Sequence, residues 1–228
     1  MRPALRHLPV VLSFGVLTLA FTWPLAGHVA SGVLGDASDN LNFVWDFWWA
    51  RTALRGEGAA LFFTPGLFAP FGTSLAVHTL VPLLSAPAAW LAPATPPLTL
   101  YNAALAAAVF LNFACAYSAA FMVTGDRVAS VFAAVVFGGA PFLMVRLLGH
   151  LNVLSAWGLP LLIIATERYR TMPTAGRALG VGGMLALLAY VDYYYLIFGA
   201  LLVPLDLLLS RRAIALRARS LTQRRRRG

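Results

Sequence analysis

The chain has 228 residues, of which 60% are hydrophobic and 11% are charged, and its formal net charge is +9. The mean hydropathy of +0.78, in repeated apolar runs close to the length that crosses ~30 Å of hydrocarbon, excludes a water-soluble domain and predicts an all-α, polytopic membrane bundle. All 17 basic residues are arginines, and they stand mainly at the ends of apolar runs and in the C-terminal tail. This placement indicates membrane topology, so no nucleic-acid partner is expected.

The first predicted span runs from Leu8 to Val29. Arg2 and Arg6 precede it, which places the N-terminus in the cytoplasm by the positive-inside rule. A cleavable signal peptide is the alternative interpretation. The apolar run is long for a signal core, and Trp23-Pro24 interrupts the region where a cleavage site would lie, so a retained anchor is favoured.

A long extracytoplasmic loop, residues 31–78, follows the first span. Its opening stretch, Gly35 to Trp49, holds three of the eight acidic residues and three of the six tryptophans. A helix capped by Ser38 or Asp39 would carry a polar and an aromatic stripe on different sides. The polar stripe consists of Asp39, Asn42 and Asp46, and the aromatic stripe of Trp45, Trp48 and Trp49. Such a helix suits a membrane surface.

The segment 79–92 is apolar, but it is short and contains prolines, so it predicts a surface or re-entrant helix. If it crossed the membrane, Arg168, Arg170 and Arg177 would lie outside, against the positive-inside rule. This choice leaves the following spans: 98–123, 128–145, 151–166 and two in a hairpin over 179–209 that turns near Asp192. The result is a module of about six spans, residues 1–210, and a basic tail, residues 211–228. Both termini are then on the cytoplasmic side of the inner membrane.

This topology places eight candidate site residues at one membrane surface. They are Asp36, Asp39 and Asp46 in the loop, His78 at its end, Arg146, His150 and Asn152 at the next outer turn, and Asp192 in the hairpin. Polar groups that meet beside the membrane predict a cavity for a lipid-borne substrate with a polar head. The arginine placement that gave this topology did not use those eight residues.

Each group of candidates has a functional and a structural interpretation. The loop carboxylates could act as a general base or hold a hard divalent cation, for which Asp36 and Asp39 are the candidates; they could also cap a helix or face water. Arg146 and His150 could clamp a phosphate, or the arginine could anchor to lipid headgroups while the histidine closes a turn. No other cofactor is predicted.

The order of several short motifs carries a family resemblance. One span is followed by a loop that opens with Gly35-Asp36-x-x-Asp39 and a tryptophan-rich helix, and then by three further motifs. These are Phe63 to Gly72, Tyr101-Asn102 and Gly149-His150-Leu151-Asn152. The chain from Leu8 to about Leu209 resembles bacterial membrane proteins of the type-C glycosyltransferase superfamily. That superfamily includes relatives of protein O-mannosyltransferases and of lipid A aminoarabinose transferases.

The resemblance implies inverting transfer of a sugar from a polyprenyl-phosphate donor to an acceptor on the outer face. Asp36 or Asp39 would be the catalytic base, and the other six candidates would contact substrate. Family enzymes carry more spans than the six predicted here, so a second membrane subunit that completes the fold is an expected partner. The alternative is a non-catalytic subunit or truncated relic that binds or passes a lipid-linked glycan.

Overall fold

The computed structural model of this chain describes residues 6–56 and 60–225, with side chains as far as residue 210. It is 71% helix and 2% strand, which confirms the all-α prediction. The elements of the described chain are, in order, α1 (Leu8–Phe21), α2 (Leu25–His28), α3 (Ser38–Leu54), β1 (Phe63–Thr64), β2 (Thr73–Ser74), α4 (Pro82–Leu91), α5 (Pro97–Thr124), α6 (Arg127–Gly138), α7 (Pro141–Arg146), α8 (Leu151–Leu154), α9 (Gly158–Thr171), α10 (Ala175–Ala189) and α11 (Tyr193–Arg225). The two short strands pair antiparallel within the long loop.

Two described helices are long and apolar enough to cross a membrane, judged by length and composition. They are α5 and the part of α11 from Tyr193 to Ser210. The helices α1, α6 and α10 are apolar but shorter, with 14, 12 and 15 residues. The long helices support membrane association, whereas the six-span bundle and its orientation stay a prediction.

Three predicted spans are divided in the structure. The run 8–29 is interrupted after Phe21, beside Pro24, because proline lacks the N–H that continues a helix. The run 128–145 divides between α6 and α7 at Gly138–Pro141, where glycines precede a proline that opens the next helix. The run 151–166 divides into α8 and α9.

The segment 79–92 forms one ten-residue helix, α4, which starts at Pro82. The run 179–209 is divided by a turn at residues 190–192, where the predicted hairpin turns. The last helix, α11, continues without a break to Arg225, so residues 211–225 of the predicted basic tail prolong it. The side chains of that tail lie outside the described residues.

Helix α5 is the centre of the bundle and packs against α1, α3, α4, α6, α8 and α9. Its buried Phe113 stacks on Phe14 of α1, with 5.7 Å between ring centroids. Gly138 lets α6 approach the same ring, since a Cβ at that position would lie 2.4 Å from Phe113. Asn102 ties the long loop to α5 by donating to the carbonyls of Val29 and Gly32, at 2.9 and 2.8 Å.

Candidate functional site

A fully buried asparagine joins the start of the long loop, the 148–150 turn and α5. Nδ2 of Asn40 donates to the carbonyls of Leu34, Asp36 and Leu148, at 2.7, 2.6 and 3.0 Å. Its Oδ1 accepts the hydroxyl proton of Tyr101, which is itself buried in α5. A buried amide whose oxygen and nitrogen are both engaged fixes the segments it bonds. The first turn of α3 is therefore held in one position against the 148–150 turn.

Gly35 allows these segments to touch, and Gly149 lies at the same contact with room for a Cβ. Gly35 has φ +81°, and a Cβ there would lie 2.4 Å from the carbonyl oxygen of Leu148. Glycine is the residue that adopts this left-handed conformation without steric cost. At Gly149, a Cβ would lie 3.5 Å from the Cβ of Asp39. The Gly35-Asp36 and Gly149-His150 motifs of the resemblance thus form one junction, although they lie 114 positions apart in the sequence.

The loop before α3 is stabilised by Asp36, and not by the predicted helix cap at Ser38 or Asp39. The helix begins at Ser38, and the N-cap residue Ala37 makes no side-chain bond. Instead, Oδ1 of Asp36 accepts from the backbone N–H and the hydroxyl of Ser38, at 3.0 and 2.6 Å. Neither Ser38 nor Asp39 is the cap because the carboxylate two residues earlier forms an Asx turn. The hydroxyl bond, with the backbone bond second, lowers the pKa of Asp36 below its usual 3.8.

Asp39 and His150 form an exposed pair at this junction. Nε2 of His150 lies 3.3 Å from Oδ2 of Asp39, and the two side chains are 40% and 58% exposed, respectively. Both groups can therefore reach a ligand from solvent. An ion pair this exposed contributes at most ~1 kcal/mol to stability.

Asp46 and His78 form a second pair, which is buried. Nε2 of His78 lies 2.8 Å from Oδ1 of Asp46, whose side chain is 0% exposed. Burial raises the pKa of Asp46 to about 6, against the opposing effect of the histidine bond. The bond to Asp46 in turn raises the pKa of His78 above its usual 6.5. The interpretation that Asp46 faces water is wrong, because α3 turns this residue toward the protein.

The third group lies beside the turn between α10 and α11. Nδ2 of Asn152 donates to Oδ2 of Asp192, and Oδ1 of Asp192 accepts from the backbone N–H of Tyr194 at 2.6 Å. His150 lies one helical turn after Arg146, and the backbone N–H of His150 donates to the carbonyl of Arg146 at 2.9 Å. The guanidinium of Arg146 lies 5.3 Å from the centroid of the Phe142 ring. Its buried Nε has no hydrogen-bond partner in the described chain.

A cavity of about 320 Å³ lies between residues 75–82 and the α10–α11 turn, and both segments line it. His78 and Asp192 both line it, and Asp46 and Asn152 lie directly behind them as their hydrogen-bond partners. The remaining four candidates lie outside its lining: Asp36, Asp39, Arg146 and His150. The structure thus separates an exposed junction, with Asp36, Asp39 and His150, from a cavity, and Arg146 lies one turn before His150 with its side chain over Phe142.

The expected cation finds no matching donor set. Among the described residues, no three histidine, cysteine, aspartate or glutamate side chains come close enough to hold a metal ion. Asp36 directs its Oδ1 to Ser38, and Asp39 faces a histidine.

Sequence reasoning missed Asn40 and Tyr101 as site-forming residues. Asn40 lies inside the acidic stretch, where its neighbours drew the functional interpretation, and Tyr101 entered through the resemblance alone. An asparagine that falls on the apolar side of an otherwise polar helix start is the signal that could have found the first of them.

Comparison of the chain with protein-family models, curated proteins and solved structures finds no match. The resemblance to type-C glycosyltransferases therefore rests on the order of the short motifs. The function has to be inferred from the geometry of the two sites.

Proposed function

We propose that this chain is a membrane glycosyltransferase-like protein that transfers a sugar from a polyprenyl-phosphate donor to an acceptor hydroxyl on the extracytoplasmic face, with Asp39 as the base. One observation carries the proposal. The Asp39 carboxylate is exposed and lies 3.3 Å from His150, at a junction held by the fully buried Asn40. A general base needs this combination of access and fixed position.

Asp39 fits the role better than the other two loop carboxylates. Asp36 uses an oxygen on two bonds to Ser38, and the resulting lower pKa makes it a weaker proton acceptor. Asp46 is completely buried and bonded to His78, so no acceptor hydroxyl can reach it without a rearrangement. Asp39 is left as the accessible carboxylate of α3.

In the proposed transfer, one bond to the anomeric carbon forms and one breaks, and Asp39 accepts the proton that is released. Asp39 takes the proton of the acceptor hydroxyl while the oxygen forms a bond to the anomeric carbon of the sugar. The bond from that carbon to the phosphate oxygen breaks, and its electron pair leaves with the polyprenyl phosphate. His150 orients the Asp39 carboxylate, and Arg146, one turn before it, is the proposed hydrogen-bond donor that stabilises the negative charge on the leaving phosphate.

Asparagine replacements at Asp39 and Asp36 test the proposal. An asparagine keeps the side-chain oxygen but cannot take a proton at neutral pH. We expect Asp39→Asn to insert normally and to lose ~10²-fold or more of the rate, the usual scale of general-base catalysis. Asp36→Asn is the matched control, because its oxygen can still accept from Ser38, and it should keep most of the rate.

The measurement follows consumption of a radiolabelled polyprenyl-phosphate hexose by the protein in lipid nanodiscs, with membrane extract as the acceptor source. Full activity of Asp39→Asn would refute the assignment of the base. Recovery of that variant on addition of a divalent cation would instead make Asp39 a metal ligand. Binding of the donor by the wild-type protein without turnover would favour the non-catalytic subunit over the transferase.

A further inference from the structure

The cavity beside the α10–α11 turn is built by contacts between its own walls. The N–H of Leu83 donates to the carbonyl of Tyr190 at 3.2 Å, and the hydroxyl of Tyr193 donates to the carbonyl of Ala76. Both bonds cross from residues 76–83 to the turn between α10 and α11. The cavity is therefore formed before a ligand enters, as is usual for small-molecule sites.

One wall of the cavity carries backbone strain. Val81 has φ +45°, in the left-handed region that a β-branched residue rarely adopts. Residues held in this region persist only where the surroundings over-determine them, and they cluster at ligand sites. Val81 lies three residues after His78 and also lines the cavity.

His78 is held in a fixed orientation at this wall. Its Nε2 is bonded to the buried carboxylate of Asp46 at 2.8 Å, and Trp45 packs against the ring edge-to-face, with 6.0 Å between centroids. Because a carboxylate accepts from Nε2, that nitrogen carries the proton and Nδ1 remains for another partner. In the part of the chain that the structure describes, nothing hydrogen-bonds to Nδ1.

The charges in the cavity lining limit which ligand heads could bind to His78 and Asp192. No arginine is among the lining residues, so an anionic head would be repelled by Asp192 and would find a counter-charge only in protonated His78. Protonated His78 would repel an ammonium head. A hydroxyl can donate to neutral Nδ1 and can accept from protonated Nδ1, so it matches both states of the imidazole. Most of the lining is apolar, which suits an attached hydrocarbon.

We propose that this cavity binds the uncharged, hydroxyl-bearing head of an amphiphile, with His78 and Asp192 as its hydrogen-bond partners and the apolar lining around the attached chain. The site requires neither the donor nor Asp39. It is therefore a second binding site, independent of the transfer reaction proposed for the junction.

Photo-crosslinking tests the site directly. The probe is octyl glucoside with a diazirine in its alkyl chain, added to the protein in lipid nanodiscs, and the labelled peptides are mapped by mass spectrometry. We expect saturable labelling of residues 75–82 and 186–193, which unmodified octyl glucoside should compete away. Labelling that rises linearly without saturation would overturn the proposal, because it would mark simple partition into lipid.

Variants of α10 provide the matched comparison. Ala186 lines the cavity, so Ala186→Phe should fill it and lower labelling of both segments by about tenfold. Ala178 is exposed on the same helix and does not line the cavity, so Ala178→Phe should label like the wild type. Equal labelling of the two variants would contradict the assignment of the site.

His78→Gln and Asp39→Asn separate this proposal from the transferase. His78→Gln should weaken competition by octyl glucoside several-fold, since the imidazole Nδ1 is lost. Asp39→Asn should label normally even where it abolishes transfer. Stronger competition by octyltrimethylammonium or octyl phosphate than by octyl glucoside would overturn the choice of an uncharged head.

Discussion

Helix α3 carries two aspartate–histidine pairs that differ in burial. Asp39 and Asp46 lie two turns apart on one helix, and each meets a histidine from a distant segment. The pair with His150 is open to solvent, whereas the pair with His78 contains a fully buried carboxylate. An aspartate and a histidine therefore have different roles in the two pairs. The exposed pair is available to a substrate, and the buried pair orients one ring at a cavity.

The largest expected effect comes from removing the support of the exposed pair. Asn40→Ala would leave three backbone carbonyls and the Tyr101 hydroxyl without their partner, at a cost of ~3–5 kcal/mol in the free energy of unfolding. Denaturant unfolding in detergent, followed by tryptophan emission, measures it. Asn42→Ala is the control, because Asn42 is exposed on the same helix.

Histidine NMR shows whether Asn40 serves one pair or both. In Asn40→Ala, the ring signals of His150 should shift toward those of a free histidine, while those of His78 stay unchanged. Simultaneous shifts of both rings would mean that α3 as a whole has moved, and the two pairs would then not be independent.

A matched pair of histidine deletions is expected to give the next largest effect. His78→Ala would leave the Asp46 carboxylate buried without its partner, and we expect a loss of ~2–3 kcal/mol in the free energy of unfolding, limited by the ability of Asp46 to take a proton. His150→Ala should cost less than ~1 kcal/mol, because both groups of that pair are solvated. The same unfolding assay measures both variants. Similar losses would show that burial does not distinguish the pairs.

The smallest effect is a pH dependence that belongs to the buried pair. Asp46 and His78 both have pKa values raised by folding, so the folded protein binds more protons than the unfolded chain between the two sets of values. Stability should therefore fall as pH rises through about 6 and on through the pKa of His78. The lowered pKa of Asp36 acts in the opposite direction, but below its usual 3.8.

Thermal unfolding midpoints measured between about pH 5 and pH 8 check this sign. Asp46→Asn can keep a hydrogen bond to His78 but does not titrate in this range, so its midpoint should depend less on pH. A wild-type midpoint that rises with pH would contradict the raised pKa of Asp46.

The sequence predicted the helical class, the position of α5 and the apolar part of α11, because long apolar runs are typical of membrane helices. It also placed a turn near Asp192, because a single span over 179–209 would put Arg211 and Arg212 outside, against the positive-inside rule. The break between α6 and α7 was not predicted, although the sequence contains Gly138, Gly139 and Pro141, residue types that interrupt helices. The residues on both sides form one apolar run, and the predicted span 128–145 followed that run.

The candidate site was predicted less completely. Periodicity placed Asp39 and Asp46 in one stripe of α3, but it could not show that Asp46 turns toward His78, 32 positions away. Pairing across that separation depends on how the loop folds back, which no local pattern encodes. For the same reason, the eight candidates could be assigned to one membrane surface, whereas their division between a junction and a cavity required the structure.

The unequal lengths of the apolar helices have a consequence for the surrounding lipid. At 1.5 Å per residue, α1 and α6 measure ~21 and ~18 Å, whereas α5 measures ~42 Å. A bilayer core of ~30 Å that covered all three would be compressed beside the first two, and α5 would have to tilt or project from it. Short acyl chains would relieve the compression beside α1 and α6 and would increase the tilt or projection of α5. A thicker bilayer would be compressed more strongly where it meets the face formed by α1 and α6.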